Sequence, residues 1–226
     1  MTDSPANAAG RSYGQLCPLA CALDLLGERW TLLVVRELLL GPKRFGELGT
    51  RLPGAGPNRL STRLKRLQAA GVTERTADGA HALTPYGEGL RAPVLGLGSW
   101  GLSLLPPFDA GSARADLVAL VMSGAMDPAR LTGIELVVEV HAEDVFTMTV
   151  HDGAMAVRSG PIDDPRRVRL HSEPETFVAL LMGGAELDDC VRSGVVSVEP
   201  ASPSAAQLFA EFAATTREHL SVPNPA

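Results

Sequence analysis

Residues 44–83 read RFGELGTRLPGAGPNRLSTRLKRLQAAGVTERTADGAHAL, and the periodicity of this stretch decides the fold. Phe45, Leu48 and Leu52 step by three and four, the spacing of one helix face, and Pro53 stops that helix. Gly54, Ala55 and Gly56 make a turn. Pro57 opens a second helix at its first position, where the missing N–H would have had no partner anyway. Leu60, Leu64 and Leu67 fall on one stripe of that helix, which ends at Gly71. Then the period changes. Val72–Thr76 and Ala80–Leu83 flank Asp78-Gly79, a hairpin turn signal, so a short β-ribbon follows the helix.

Upstream, apolar residues recur at helical spacing from Cys17 to Leu40, with Gly27 marking a break and Gly41-Pro42 an end. Downstream, Thr84-Pro85 caps a helix running through Leu90 and Leu97 towards Trp100 and Leu104. Helix, helix, helix, tight turn, helix, β-ribbon, helix is the order of a winged helix-turn-helix. On the helix after the turn, the positions turned away from the leucine stripe are Asn58, Thr62, Lys65, Arg66 and Ala69, flanked by Arg59 and Ser61. That face is polar and basic, with small side chains that permit close approach to a groove floor. Asn58 and Arg59 suit bidentate contacts to base edges, and Arg63, Lys65 and Arg66 suit phosphates. An ordinary solvated basic helix would look the same.

Charge bears on both readings without separating them. The 226 residues carry 20 Lys+Arg against 26 Asp+Glu, a net of −6, yet residues 41–75 hold eight bases and only Glu47 and Glu74 as acids. A basic segment inside an acidic chain points to a polyanion partner for that segment alone. Lys43, Arg44, Arg75 and His81 join the helix residues as expected DNA contacts. Residues 108–226 hold 8 bases against 18 acids, a net of −10, so that half has no affinity for a polyanion. No run of 18 apolar residues occurs, which excludes a helical membrane span. The first 15 residues carry Asp3 and no apolar core, so no secretory leader is expected. Three cysteines make no disulfide framework, and a cytoplasmic location follows as the default.

CPLACALDLLGERWTLL at 17–33, RFGEL at 44–48, LPG at 52–54, LSTRLKRL at 60–67 and LTPYG at 83–87 together resemble the HxlR-type winged-helix transcriptional regulators over residues 14–104. The resemblance implies a homodimer on double-stranded DNA with a pseudo-palindromic operator. It implies pairing through the first helix, Leu16 to Gly27, and the helix after the wing, Pro85 to Leu105. In some regulators of this type a cysteine at the position of Cys17 senses oxidants. The wing here, Arg75 to His81, is short and carries few bases.

Residues 1–13 read as a flexible arm, residues 14–107 as the DNA-binding and dimerisation domain, and Pro106-Pro107 as the boundary. Beyond it, 108–226 alternates: Ile134, Leu136, Val138 and Val140 against Glu135 and Glu139, then Phe146, Met148 and Val150 against Thr147, Thr149 and His151. Asp152-Gly153 turns the chain into a return strand with Met155 and Val157. Helices around Phe177–Leu181 and Leu208–Phe212 complete an α+β arrangement, an antiparallel sheet with helices on one face. This half resembles the sterol carrier protein fold, which implies a tunnel for an apolar ligand. Phe146, Met148, Val150, Met155, Phe177, Leu181, Met182 and Phe212 are its expected lining, and plain core packing is the alternative.

The sequence holds no HExxH, GxSxG, P-loop or GxGxxG pattern, and its histidines and cysteines lack metal-ligand spacing, so neither an enzyme nor a cofactor or metal is expected. The expectation is a cytoplasmic dimeric regulator whose operator affinity answers to a small apolar ligand. A thiol sensor acting through Cys17 with a purely structural second half, and a lipid carrier, are the alternatives.

Overall fold

Leu60, Leu64 and Leu67 are 1%, 2% and 0% exposed in the computed structural model, so the leucine stripe is the buried face of a helix. The structure describes residues 12–104, 114–200 and 202–220, and divides into two units, residues 1–94 and 95–226. Residues 1–11 of the expected arm and the expected boundary at Pro106-Pro107 lie outside the described residues.

In the first unit the helices are α1 (Pro18–Leu26), α2 (Thr31–Leu39), α3 (Phe45–Arg51) and α4 (Pro57–Ala69), followed by strands β1 (Thr73–Arg75) and β2 (His81–Leu83) and the short α5 (Pro85–Glu88). Val34, Val35, Leu38 and Leu39 of α2 and Leu48 of α3 are buried with the α4 stripe. α4 stops in a Schellman arrangement: Val72 N–H bonds the Leu67 carbonyl and Gly71 N–H that of Gln68, with Gly71 at φ 71°. A residue with a Cβ is strained at that φ. Thr76 to Ala80 closes the ribbon through a three-residue loop with Gly79 at φ 84°. Thr84 then caps α5, its hydroxyl accepting from Gly87 N–H at 3.0 Å and donating to the Gly71 carbonyl at 2.6 Å. A Cβ on Gly87 would meet the Val72 carbonyl oxygen at 2.0 Å, so only glycine lets α5 lie this close to the start of the wing.

The helix expected from Pro85 to Leu105 is two helices, α5 and α6 (Arg91–Gly101), parted at Gly89 and Leu90, with a 3-10 turn at Leu102–Leu104. Glycines at 87 and 89 favour the break.

The second unit contains α7 (Ala115–Ala125), α8 (Pro128–Leu131), β3 (Leu136–His141), β4 (Val145–His151), β5 (Ala154–Ser159), β6 (Val168–Ser172), α9 (Pro174–Leu181), α10 (Leu187–Ser193), β7 (Val196–Glu199) and α11 (Pro203–Leu220). The sheet runs β5-β4-β3-β6-β7. The α+β class matches the expectation, but the sheet is mixed rather than wholly antiparallel: β3 and β6 are parallel, Val138 opposite Val168 and Val140 opposite Leu170. β6 comes to lie beside β3 because the β3–β4–β5 meander has already used the other side. Val138, Val140, Phe146, Met148 and Leu170 point into one core with α7, α9 and α11. Phe146, Phe177, Phe209 and Phe212 form a chain of ring contacts at 5.5, 5.8 and 5.9 Å, largely edge-to-face.

Glu139, expected on a wet strand face, is 5% exposed. The 160–167 segment covers it: Ile162 N–H donates to it at 3.2 Å, His141 Nε2 lies at 2.8 Å, and Arg167 and Arg169 stand at 3.5 and 3.7 Å. The His141 hydrogen bond, foremost, then the Ile162 N–H and the Arg167 charge hold its carboxyl below the usual range against the opposing effect of burial.

Candidate nucleic-acid interface

The α4 helix separates its polar residues into two groups. Asn58, Arg59, Thr62 and Lys65 are exposed, with Ser61 half-buried beside them. Thr62 Oγ1 donates to the Asn58 carbonyl at 2.8 Å, which fixes its hydroxyl against the helix. Asn58, Arg59 and Lys65 present their side-chain donors outward. Arg63 and Arg66 form the other group. The Arg63 guanidinium pairs with Glu28 at 3.1 Å and its side chain is only 16% exposed. Arg66 donates to the Asp24 carbonyl at the end of α1. Both arginines therefore tie α4 to residues 24–28.

The wing residues divide in the same way. Arg44, ahead of α3, reaches Asp78 at the wing tip across 3.1 Å, and both side chains are mostly exposed. Its backbone N–H is taken by the Glu47 carboxylate, which caps α3. A hydrogen bond from the Thr76 hydroxyl is the main reason the Asp78 carboxyl lies below its ordinary value, with the Arg44 charge assisting. Arg75 is exposed and spans the wing turn to the Gly79 carbonyl at 2.6 Å. Lys43 and His81 are each 3% exposed. Their backbones pair with each other at 2.9 and 2.8 Å, adding a third short strand to the ribbon and drawing both side chains inward. Neither ring nitrogen of His81 has a hydrogen-bond partner among the described residues. Burial, and then the Arg75 charge, lower its pKa, favouring the neutral ring.

Of the eleven residues expected to meet DNA, six are therefore exposed on α4, ahead of α3 or on the wing. Ser61, Arg63 and Arg66 are half-buried, and Lys43 and His81 face inward. Gln68, also exposed on α4, was given no contact role; its place one turn beyond Lys65 is the signal for it. Behind the interface Glu37 is fully buried, with Arg36 at 2.7 Å and Arg51 at 3.0 Å, and fixes α2 to the end of α3.

In the second unit, Phe146, Met148, Val150, Phe177, Leu181 and Phe212 are buried, and Met155 and Met182 are half-buried. A cavity of about 580 Å³ lies at one end of the sheet, and of these eight residues only Val150 lines it. Cys17 is half-buried, Cys21 exposed and Cys190 buried, all as free thiols. Among the described residues no helix is long and apolar enough to cross a membrane.

Residues 25–108 match the HxlR-like helix-turn-helix family. The HTH-type transcriptional regulator YvaP of Bacillus subtilis is 36% identical over 104 residues, covering 42% of this chain and 95% of that one. The quinone-bound crystal structure of YodB from B. subtilis is 34% identical, covering 38% of this chain and 97% of that one at a TM-score of 0.36. The ubiquinone synthesis protein UbiJ-SCP2 is 14% identical, covering 63% of this chain and 99% of that one at a TM-score of 0.34. The chain spans about half the length of the first curated relatives it matches.

Proposed function

The chain belongs to the HxlR-like helix-turn-helix family, and from that premise we propose a homodimeric transcriptional regulator that reads double-stranded DNA with α4. The observation that carries this reading is the outward face of Asn58, Arg59, Thr62 and Lys65, exposed while the leucines behind them are buried. A helix with that face, opened by Pro57 and braced from behind by Arg63 and Arg66, is a rigid insert for a major groove. Arg44 and Arg75 flank it as phosphate contacts. The test is selection of bound fragments from genomic DNA, followed by fluorescence anisotropy over a salt series. A pseudo-palindromic site bound by two copies supports the reading, and weak binding with a flat salt response defeats it.

Dimerisation is supported by apolar side chains left in water. These are Leu16 just ahead of α1, Leu19 and Leu23 on α1, and Leu97 and Trp100 on α6. A second copy would cover such surface. We also propose that a small, largely apolar ligand held in the second unit alters operator affinity. The space for it is the cavity at the sheet end, which Val150 shares with the expected lining. The other seven residues of that lining lie outside the cavity wall.

A second reading rests on Cys17, the N-cap of α1, and Cys21 one turn into it, neither of them buried. Oxidation there would alter the same exposed helix that carries Leu19 and Leu23. Diamide treatment changing operator affinity in the native chain but not in Cys17→Ser would favour it, and an unchanged affinity would remove it.

A further inference from the structure

The cavity of about 580 Å³ lies where the first residues of β3 and β6 meet the last of β4. Its size is that of a small-molecule site. Leu136, Val150 and Val168, all buried, and half-buried Ile162 give it apolar walls. Its mouth is charged, with Glu135, His151, Asp164 and Arg166. We propose that this cavity binds a small amphipathic cation, with an apolar body against the walls and an ammonium-type head against Glu135 and Asp164.

The sign follows from how the mouth is wired. Arg166 is committed to Asp164 through two bonds at 3.1 and 2.8 Å, so that pair is already neutral. His151 sits between two carboxylates, Nδ1 at 2.6 Å from Glu135 and Nε2 at 3.3 Å from Asp152. Counting Glu135 and Asp164 against Arg166, the mouth holds a net −1 when the ring is neutral and 0 when it is protonated, and Asp152, against the ring just outside the lining, adds a further −1. Carboxylate oxygens keep acceptor sites after one bond is made, so both acids still accept from a further donor. The surrounding field has the same sign: residues 95–226 carry 8 arginines against 18 acids. An anionic head entering here meets a negative mouth inside a negative unit, and a cationic head is drawn in. Loss of the His151 proton deepens the charge, so affinity for the cation rises with pH across that titration. Glu135, Asp152 and Arg166 are the groups that face this ring.

The inference rests on the reading of the second unit as a ligand sensor. Decyltrimethylammonium and decanoate, which share an apolar chain and differ in head charge, are titrated calorimetrically into the full chain at pH 7.5. One ammonium site per chain, at least tenfold tighter than decanoate, is the expected result. Glu135→Gln combined with Asp164→Asn lowers ammonium affinity at least tenfold. Thr149→Lys, which places a cation on the cavity wall, reverses the preference and keeps the proposal testable if the double variant folds poorly. Equal affinities, a preference for decanoate in the native chain, or no saturable binding overturns it. Operator anisotropy on the same samples separates the two readings. An ammonium that binds without moving DNA affinity supports the site and removes the sensor. Intact DNA binding with no ammonium binding removes the site alone.

Discussion

The guanidinium of Arg63 donates to the Glu28 carboxylate at 3.1 Å, so one of the four bases on α4 faces its own chain. Arg66, donating to the Asp24 carbonyl, does the same. The consequence is a division of labour that substitution separates. Lys65→Ala is expected to weaken every DNA sequence alike and to lower the slope of log K against log salt by about one. Arg59→Ala and Asn58→Ala are expected to cost about 1–3 kcal/mol of discrimination at one base pair each. Arg63→Ala instead costs up to about 1 kcal/mol of stability, because Glu28 is half in water, and leaves the salt slope unchanged. Anisotropy titrations paired with urea melts check all three.

Glu37 supplies the sharpest stability test. Its side chain is fully buried between Arg36 and Arg51. Glu37→Ala leaves two guanidinium groups without their shared carboxylate and is expected to cost about 3–5 kcal/mol. A loss below about 1 kcal/mol in chemical denaturation would show that the carboxylate does not organise this corner.

At Gly87 the expected effect is steric. Alanine there drives a methyl group into the Val72 carbonyl, and the backbones must part. Gly87→Ala should cost about 1–3 kcal/mol or more and loosen the wing, seen as faster amide exchange at Val72 and Thr84.

His81 and His151 respond to pH in opposite senses. His81 has its pKa lowered by burial and by Arg75, so the unfolded chain binds more protons between the folded and unfolded values. Stability is therefore expected to fall as pH drops below about 6.5, the unfolded value. His81→Phe should remove that slope from thermal melts between pH 7.5 and 5. His151 has its pKa raised, chiefly by its hydrogen bond to Glu135. Its contribution is present below about 6.5 and is lost as pH rises through the folded value. Since His151 is exposed, the effect belongs in an NMR titration, where Glu135→Gln should return the ring towards its ordinary value.

The sequence carried the local part of this molecule and not its long-range pairings. Leu60, Leu64 and Leu67 specify their helix and its buried face because a 3.6-residue repeat needs no other information. The same wheel left Arg63 and Arg66 outside the core, which is correct, but their partners lie 35 and 42 residues away. Lys43 and His81 read as surface bases because nothing in either neighbourhood announces the backbone pairing that turns them inward. Glu139 obeys strand alternation, and only the distant 160–167 segment changes its surroundings from water to protein. The cavity mouth was missed for a related reason: Glu135, His151, Asp164 and Arg166 come from three separate segments.

The parallel pairing of β3 with β6 also bears on how the second unit comes into being. β3, β4 and β5 follow one another through short turns and pair as neighbours, so their contacts close small loops. β6 must return past β4 and β5 to reach the free side of β3, and β7 can join only after it. Loop-closure entropy therefore orders the events: the meander assembles early and the β6–β7 half arrives late. During that interval one side of β3 is an open hydrogen-bonding edge flanked by Val138 and Val140, the condition under which nascent sheets pair with the wrong chain. A chain released before residue 168 would carry that edge permanently, so truncation there trades a folded unit for a self-associating one.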